Sequence, residues 1–320
     1  MNEEKLLLEK VEGLGEDIIK RLKEMGIETA LDLAVCLPDE LLDIVGGNRS
    51  GAAYLINQAR IHLVKNGIIN EGFITAKEVL ERRKKIRYCT TGSRALDGLL
   101  GGGIETAAVT EVYGAYSSGK SQLCHTLSVL CQLPPEERGL GGGAIYIDTE
   151  GGFRAERVRE IAIARGLEPD TILKNILYAR VYNVPHLEFI IRSLGAYIRK
   201  HGIKLIIVDS IIGLFRSEFI GREFLSERQQ RLNIMISKLR NIAEMYDIAV
   251  VITNQVQTSP NIIIGDPNVP AGGNILSHGS TYRIYLRRLG KYRIATIIDS
   301  PYHPFSEIKF LITEAGISDE

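Results

Sequence analysis

The sequence predicts an α/β protein in which a mostly parallel central sheet with antiparallel edge strands follows a small all-α domain. Three observations carry this. From Thr110 onward, apolar strand-like runs alternate with helical stretches, the pattern of a parallel sheet covered on both faces. The run "STYRIYLRRLGKYRIATIIDS", then "EIKFLIT", reads instead as antiparallel edge strands with a turn near Gly290-Lys291. Ahead of both, from Leu6 to about Gly67, short amphipathic helical patterns alternate with glycine-rich turns.

Gly13-Leu14-Gly15 lies between two helical patterns, and Val45-Gly46-Gly47-Asn48 precedes another. Together they resemble the paired hairpins of a helix-hairpin-helix DNA-binding module. Gly13 and Gly15 would let backbone N–H groups approach a phosphate, and the following helix N-terminus adds partial positive charge. An ordinary helix-turn-helix packing unit explains the same pattern, because the segment is acidic. Next, Thr75 and Glu78 form a T-x-x-E capping box that starts a helix at Ala76. Phe73, just before it, falls in an extended connector, where it stays exposed unless its own chain or another molecule receives it. The core strands are read as "TEVY", "AIYID" (Ala144 to Asp148), "KLIIVD" (Lys204 to Asp209) and "IAVVITN" (Ile248 to Asn254). These readings give a helical domain over residues 1–67, a linker over 68–87 and an α/β core over 88–320.

With 320 residues, 45% hydrophobic and 24% charged, the chain can bury a full core. No apolar run reaches the ~18 to 20 residues of a membrane helix, and "MNEEK" lacks the flank and centre of a secretion signal. A cytoplasmic protein with no membrane partner is the expectation. Cys36, Cys89, Cys124 and Cys131 show no CxxC pair and no metal-ligand spacing, and read as reduced core residues. Formal net charge is zero, and residues 1–70 carry 8 Lys/Arg against 12 Asp/Glu. Bulk attraction to nucleic acid is therefore excluded, and DNA binding has to use local patches or backbone donors.

The octapeptide Gly114-Ala115-Tyr116-Ser117-Ser118-Gly119-Lys120-Ser121 fits G-x-x-x-x-G-K-[ST], with a strand before it and a helix after it. Glycines let successive N–H groups surround phosphates, Lys120 reaches the β/γ oxygens and the Ser121 hydroxyl ligates Mg²⁺. Gln122, next on the helix, belongs to the same site. Asp209 ends an apolar strand, where open parallel sheets bind ligands, and can hold the Mg²⁺ shell in the Walker B manner. Glu150, two residues past Asp148, is placed for a general base that aligns water on the γ-phosphate. Either carboxylate alone could be structural; with Lys120 they form a constellation for ATP with Mg²⁺. Asn254 and Gln255 close a fourth strand end, where an amide can sense the γ-phosphate.

Beyond this site, "VYGAYSSGKSQLCH", "YIDTEGGFRAERV", "IIVDSIIGLFRSEFIGREFLSERQQRLN", "NQVQTSPNIIIGDP" and "GGNILSHGSTYRIYLR" carry a resemblance that runs essentially end to end. The chain resembles the archaeal RadA recombinases, a branch of the RecA-like strand-exchange recombinase family. The resemblance implies a RecA-like P-loop ATPase core behind a helix-hairpin-helix domain. It makes Phe73 and Ala76 of "FITA" a polymerisation motif that docks on the neighbouring core while the connector adds a strand to its sheet. Such a head-to-tail contact closes into a ring or runs on as a helical filament.

Ser210 to Arg231 is similar to the family's first DNA-binding loop, which makes Arg216, Phe219, Arg222 and Arg228 DNA contacts. The second loop corresponds to Val256 to Ile275. By the same resemblance Gln255 links the γ-phosphate to DNA binding, His278 lies near the neighbour's phosphate and Arg154 and Arg157 cover the adenine. Asp299 and Pro301, in "DSPYHPFSE", are similar to a cap on the adjacent subunit's nucleotide. Two departures stand out: Glu223-Phe224 where the family carries a small residue after Gly-Arg, and Phe305-Ser306 before Glu307 in the cap.

The implied function is a DNA-dependent ATPase and homologous recombinase that polymerises on single-stranded DNA, pairs it with double-stranded DNA and exchanges strands in repair. The cofactors are ATP and Mg²⁺, with K⁺ as a further candidate, and recombination mediators are candidate partners beside the nucleoid. The altered first loop keeps one alternative open: a recombinase paralog or mediator that binds ATP and DNA without exchanging strands.

Overall fold

The computed structural model describes residues 3–70, 72–221, 223–258 and 268–320. The chain divides into two compact units: one takes in the chain up to Lys85 with Phe189–Lys200, the other Ile86–Glu188 with His201–Glu320.

The first unit carries α1 (Glu16–Glu24), α2 (Ala30–Ala34), α3 (Arg49–Lys65) and α4 (Ala76–Arg83). Local signals start each of them. Gly15 precedes α1, Thr29 and Asp32 form a capping box on α2, and the Asn48 side chain accepts from Gly51 N–H at 3.1 Å to cap α3. Gly13, at φ +84°, lies so close to the Tyr54 ring that an added Cβ would meet the hydroxyl at 2.8 Å. The expected box on α4 is present: Thr75 Oγ1 accepts from Glu78 N–H at 3.2 Å and Glu78 Oε2 accepts from Thr75 N–H at 2.8 Å.

The second unit runs β1 (Tyr88–Cys89), α5 (Arg94–Leu99), β2 (Ile104–Glu105), β3 (Ala108–Gly114), α6 (Lys120–Leu130), β4 (Gly143–Asp148), α7 (Ala155–Ala164), α8 (Pro169–Lys174) and β5 (Ile176–Arg180). Helix α9 (Val184–His201), whose residues Phe189–Lys200 belong to the first unit, is followed by β6 (Ile203–Asp209), α10 (Gly213–Glu218), α11 (Leu225–Tyr246), β7 (Ala249–Thr258), β8 (Asn268–Pro270) and α12 (Asn274–Gly279). The chain closes with β9 (Tyr282–Leu289), β10 (Tyr292–Asp299), β11 (Glu307–Thr313) and β12 (Gly316–Ser318). The sheet order is β12-β11-β10-β9-β3-β7-β6-β4-β5, with β8 paired to β7. Strands β9, β3, β7, β6, β4 and β5 are mutually parallel, whereas β10, β11 and β12 are added antiparallel. The mostly parallel sheet with antiparallel edge strands is therefore as the sequence predicts.

Alternate residues of the strands, such as Ala144 and Tyr146, Leu205 and Ile207, and Ile284 and Leu286, share one core with Leu123, Leu127 and Leu130 of α6. This packing fixes the start of α6, and with it Lys120, at the carboxyl ends of the parallel strands. All four cysteines are free and buried, as expected, and burial pushes the Cys89 and Cys124 thiols up. No helix among the described residues is long and apolar enough to cross a membrane.

Asp319 ties the last described residues to α5. Its carboxylate accepts from Arg94 N–H at 2.7 Å, from Ala95 N–H at 3.2 Å and from the Ser93 hydroxyl. Asp319→Ala is expected to lower stability by about 0.5–1 kcal/mol, the lower half of a helix-capping loss because the carboxylate is exposed. Thermal melting checks this, and an unchanged Tm would deny Asp319 that role.

Candidate nucleotide site and DNA loops

Strand β3 is buried along its whole length and delivers the chain to Gly114. A Cβ there would lie 2.2 Å from the Leu286 carbonyl oxygen, so glycine is required where the loop leaves the sheet. Ser117 (φ 65°) and Gly119 (φ 109°) are left-handed, which curls the backbone as in an anion-binding nest. Lys120 Nζ folds back to donate to the carbonyls of Gly114 (2.8 Å) and Ala115 (3.0 Å). Burial lowers the Lys120 pKa, and the charges of Asp209 and Glu150 work against that shift.

Around this loop lies a cavity of about 820 Å³, lined by residues 114–122 with Glu150, Asp209, Gln255 and Arg293. That volume suits a nucleoside triphosphate. The donor set suits Mg²⁺, since Ser121 and Asp209 offer hard oxygens and Mg²⁺ is normally held by one or two carboxylates plus substrate phosphates and water. No group of three or more His, Cys, Asp or Glu side chains is placed to hold a metal among the described residues.

The carboxylates are held by neighbouring strand ends. Asp209 accepts from the Thr253 hydroxyl on Oδ1 and from the Tyr146 hydroxyl on Oδ2 at 2.7 Å. Glu150 Oε1 accepts from the Ser210 hydroxyl at 2.5 Å and from Gln255 Nε2 at 2.8 Å. Gln255 Oε1 in turn accepts from Arg216 at 3.1 Å. A continuous path therefore joins the carboxylate beside the phosphate loop to an exposed arginine on α10. Sequence reasoning missed Tyr146, Thr253 and Arg293, and took Ser210 only as the start of the first DNA loop, because strand adjacency alone brings them to the site.

The other sequence-predicted residues fall into three groups. On the cavity's flank, Arg154 donates to the carbonyls of Gly151 (2.9 Å) and Phe153 (2.7 Å). Arg157 donates to Gln122 Oε1 (2.9 Å) and to the carbonyls of Thr313 and Glu314. Beside them, burial takes the His125 pKa down to about 4, and its Nε2 accepts from Arg154 N–H at 3.2 Å, so the ring is neutral at pH 7.

In the first loop Arg216 is exposed, Arg228 half-buried on α11, and Arg222 lies outside the described residues. Phe219 is buried: its ring stacks on Phe215 at 6.0 Å, and the Arg231 guanidinium lies 5.4 Å from its centroid. It packs inward where an exposed DNA contact was expected. Of the second loop, residues 259–267 lie outside the described residues, but its base is a ladder pairing Val256 with Pro270, Gln257 with Val269 and Thr258 with Asn268.

Asp299, Pro301 and His278 are exposed and do not line the chain's own cavity. Strand β10 runs against β9 and pairs Asp299 with Arg283, at the amino ends of the parallel strands, whereas Gly114 pairs with Leu286. The cap residues thus leave the sheet at the end opposite their own phosphate loop. Phe73 is fully exposed, and α4, which starts at Ala76, buries none of its side chains.

A mostly parallel sheet with a phosphate loop, a half-buried lysine and two carboxylates at its carboxyl ends defines a RecA-like P-loop nucleoside triphosphatase. Residues 82–320 match the Rad51 family. All 320 residues align at 48% identity with 80% of the DNA repair and recombination protein RadA of Cenarchaeum symbiosum (strain A). The chain belongs to the Rad51 family.

Proposed function

We propose that the chain is an ATP-dependent DNA recombinase of the RadA type, which polymerises on single-stranded DNA and exchanges strands with homologous duplex. The observation that carries it is the path Ser210–Glu150–Gln255–Arg216, which ties the nucleotide site to the first DNA loop. The loop backbone and Lys120 bind the β/γ-phosphates. Ser121 and Asp209 would hold Mg²⁺, which when bound neutralises charge on those phosphates. Glu150 orients a water and takes its proton. The Gln255 amide uses both ends in the free chain, one on Glu150 and one on Arg216. Turning it to a γ-phosphate releases Arg216 for DNA, and loss of that phosphate returns it, so nucleotide state shifts the population of DNA-ready loops.

The division proposed is a helix-hairpin-helix domain over residues 1–67, a linker over 68–87 and the ATPase core over 88–320. Positive φ at Gly13, Gly46 and Gly47, each beside a helix start, supports phosphate approach in the first of these. For assembly, the exposed Phe73 is the donor and β5, which ends the sheet order, is an edge to which a neighbour's connector adds as a strand. Asp299 and Pro301 would serve an adjacent subunit's nucleotide, a reading supported by their lying at the end of the sheet opposite their own phosphate loop; the same role for His278 rests on the family resemblance. K⁺, mediators and a nucleoid location rest on the family resemblance alone. The mediator alternative is disfavoured by 48% identity across the full chain.

The test is strand exchange between a fluorescent single strand and duplex DNA with Mg-ATP. Exchange with homologous duplex alone is expected. ATP hydrolysis without exchange would sink the recombinase reading in favour of a mediator and turn attention to Glu223 and Phe224.

A further inference from the structure

Asp148 ends β4 two residues before Glu150 and is 1% exposed. Its Oδ1 accepts from the backbone N–H groups of Glu150 (3.0 Å), Gly151 (2.6 Å) and Gly152 (3.2 Å). Its Oδ2 accepts from Phe153 N–H (3.0 Å) and from the Tyr178 hydroxyl (3.2 Å). Arg180 donates to the Asp148 carbonyl at 2.8 Å and lies 3.8 Å from Oδ1. The N–H groups of residues 150–153 thus converge on one carboxylate, and two side chains of edge strand β5 hold it from behind.

Only an ionised carboxylate fits this arrangement, because it accepts on both oxygens and donates nothing. Burial alone would raise the Asp148 pKa, but the N–H groups of Phe153, Gly151, Gly152 and Glu150 outweigh it and leave the carboxyl below its ordinary value. The Glu150 side chain has partners of its own in Ser210 and Gln255, yet its backbone is set by Asp148.

We propose that Asp148, backed by Tyr178 and Arg180 of the edge strand, is the positioning residue that holds Glu150 at the γ-phosphate. The proposal rests on the reading of Glu150 as the base. A base misplaced by about 1 Å costs about 10²-fold in rate. An asparagine at 148 keeps one acceptor oxygen and turns an amide NH₂ toward another donor, Phe153 N–H, so the turn and Glu150 shift together. Tyr178→Phe removes one weaker donor and leaves the four backbone bonds.

The experiment measures DNA-stimulated ATP turnover and binding of a fluorescent ATP analogue for full-length Asp148→Asn, Tyr178→Phe, Glu150→Gln and the Asp148→Asn/Glu150→Gln double variant. Asp148→Asn is expected to lower kcat about 10- to 100-fold, and Tyr178→Phe about 2- to 5-fold. Analogue Kd should stay within about twofold, since the phosphate loop is a separate segment. Adding Asp148→Asn to Glu150→Gln should lower kcat no further, because both act through one group. The proposal is overturned if Asp148→Asn keeps full kcat, loses nucleotide affinity in step with kcat, or slows the Glu150→Gln background as much as the wild type. Should Asp148→Asn fail to fold, Tyr178→Phe carries the test, and unchanged kcat there overturns the proposal. Unchanged turnover in Glu150→Gln alone is a distinct failure, that of the base itself.

Discussion

Glu150→Gln slows steady-state ATP turnover about 10²- to 10⁴-fold, the range of a lost general base, and leaves nucleotide binding intact. Glutamine is the same size and its amide oxygen can still accept from Ser210 and from Gln255, which hold Glu150 Oε1 at 2.5 and 2.8 Å. What it lacks is a basic oxygen for the proton of the attacking water. Phosphate binding is supplied by the separate segment Gly114 to Ser121, so calorimetry should return an ATP affinity close to that of the unaltered chain. Wild-type turnover would move the base elsewhere, and a parallel loss of affinity would make Glu150 a binding residue.

Phe73→Glu yields monomers. In the free chain Phe73 is fully exposed and α4 behind it buries nothing, so no folded-state contact is lost and Tm should not move. In the filament the ring would be buried on a neighbour, worth about 1.5–3 kcal/mol, and a carboxylate in its place adds desolvation of an unpaired charge. Subunit association is expected to weaken at least about 10²-fold, read by light scattering with ATP and DNA present. Filaments that persist at wild-type concentration would remove the connector from assembly.

What the sequence made legible was what it carries contiguously. The apolar runs that became β3, β4, β6 and β7, and the octapeptide between β3 and α6, each hold their signal within one stretch of chain. Strand β5 was not foreseen. Its residues are half-buried or exposed, as an edge strand's are, and it lacks an apolar run. The partners of Asp209 come from β4 and β7, and the partners of Glu150 from the end of β6 and from β7; no spacing rule announces neighbours set by sheet order. Phe219 shows the converse limit. The family resemblance makes Phe219 a DNA contact, but it follows α10 in a phase that turns it onto Phe215, and only the helical phase decides that.

The antiparallel return of β10 places Asp299 at the amino ends of the parallel strands, while the phosphate loop opens at their carboxyl ends. A row of such subunits has two chemically different tips. With Asp299 and Pro301 capping a neighbour's nucleotide as proposed, one tip would hold a nucleotide site without a lid and the other a lid with nothing to cover. On that reading every interior site would be built by two molecules, and hydrolysis would become a property of neighbours. Growth and shedding would then have direction, since the tip with the open site would exchange nucleotide freely and the tip with the idle lid only behind its neighbour.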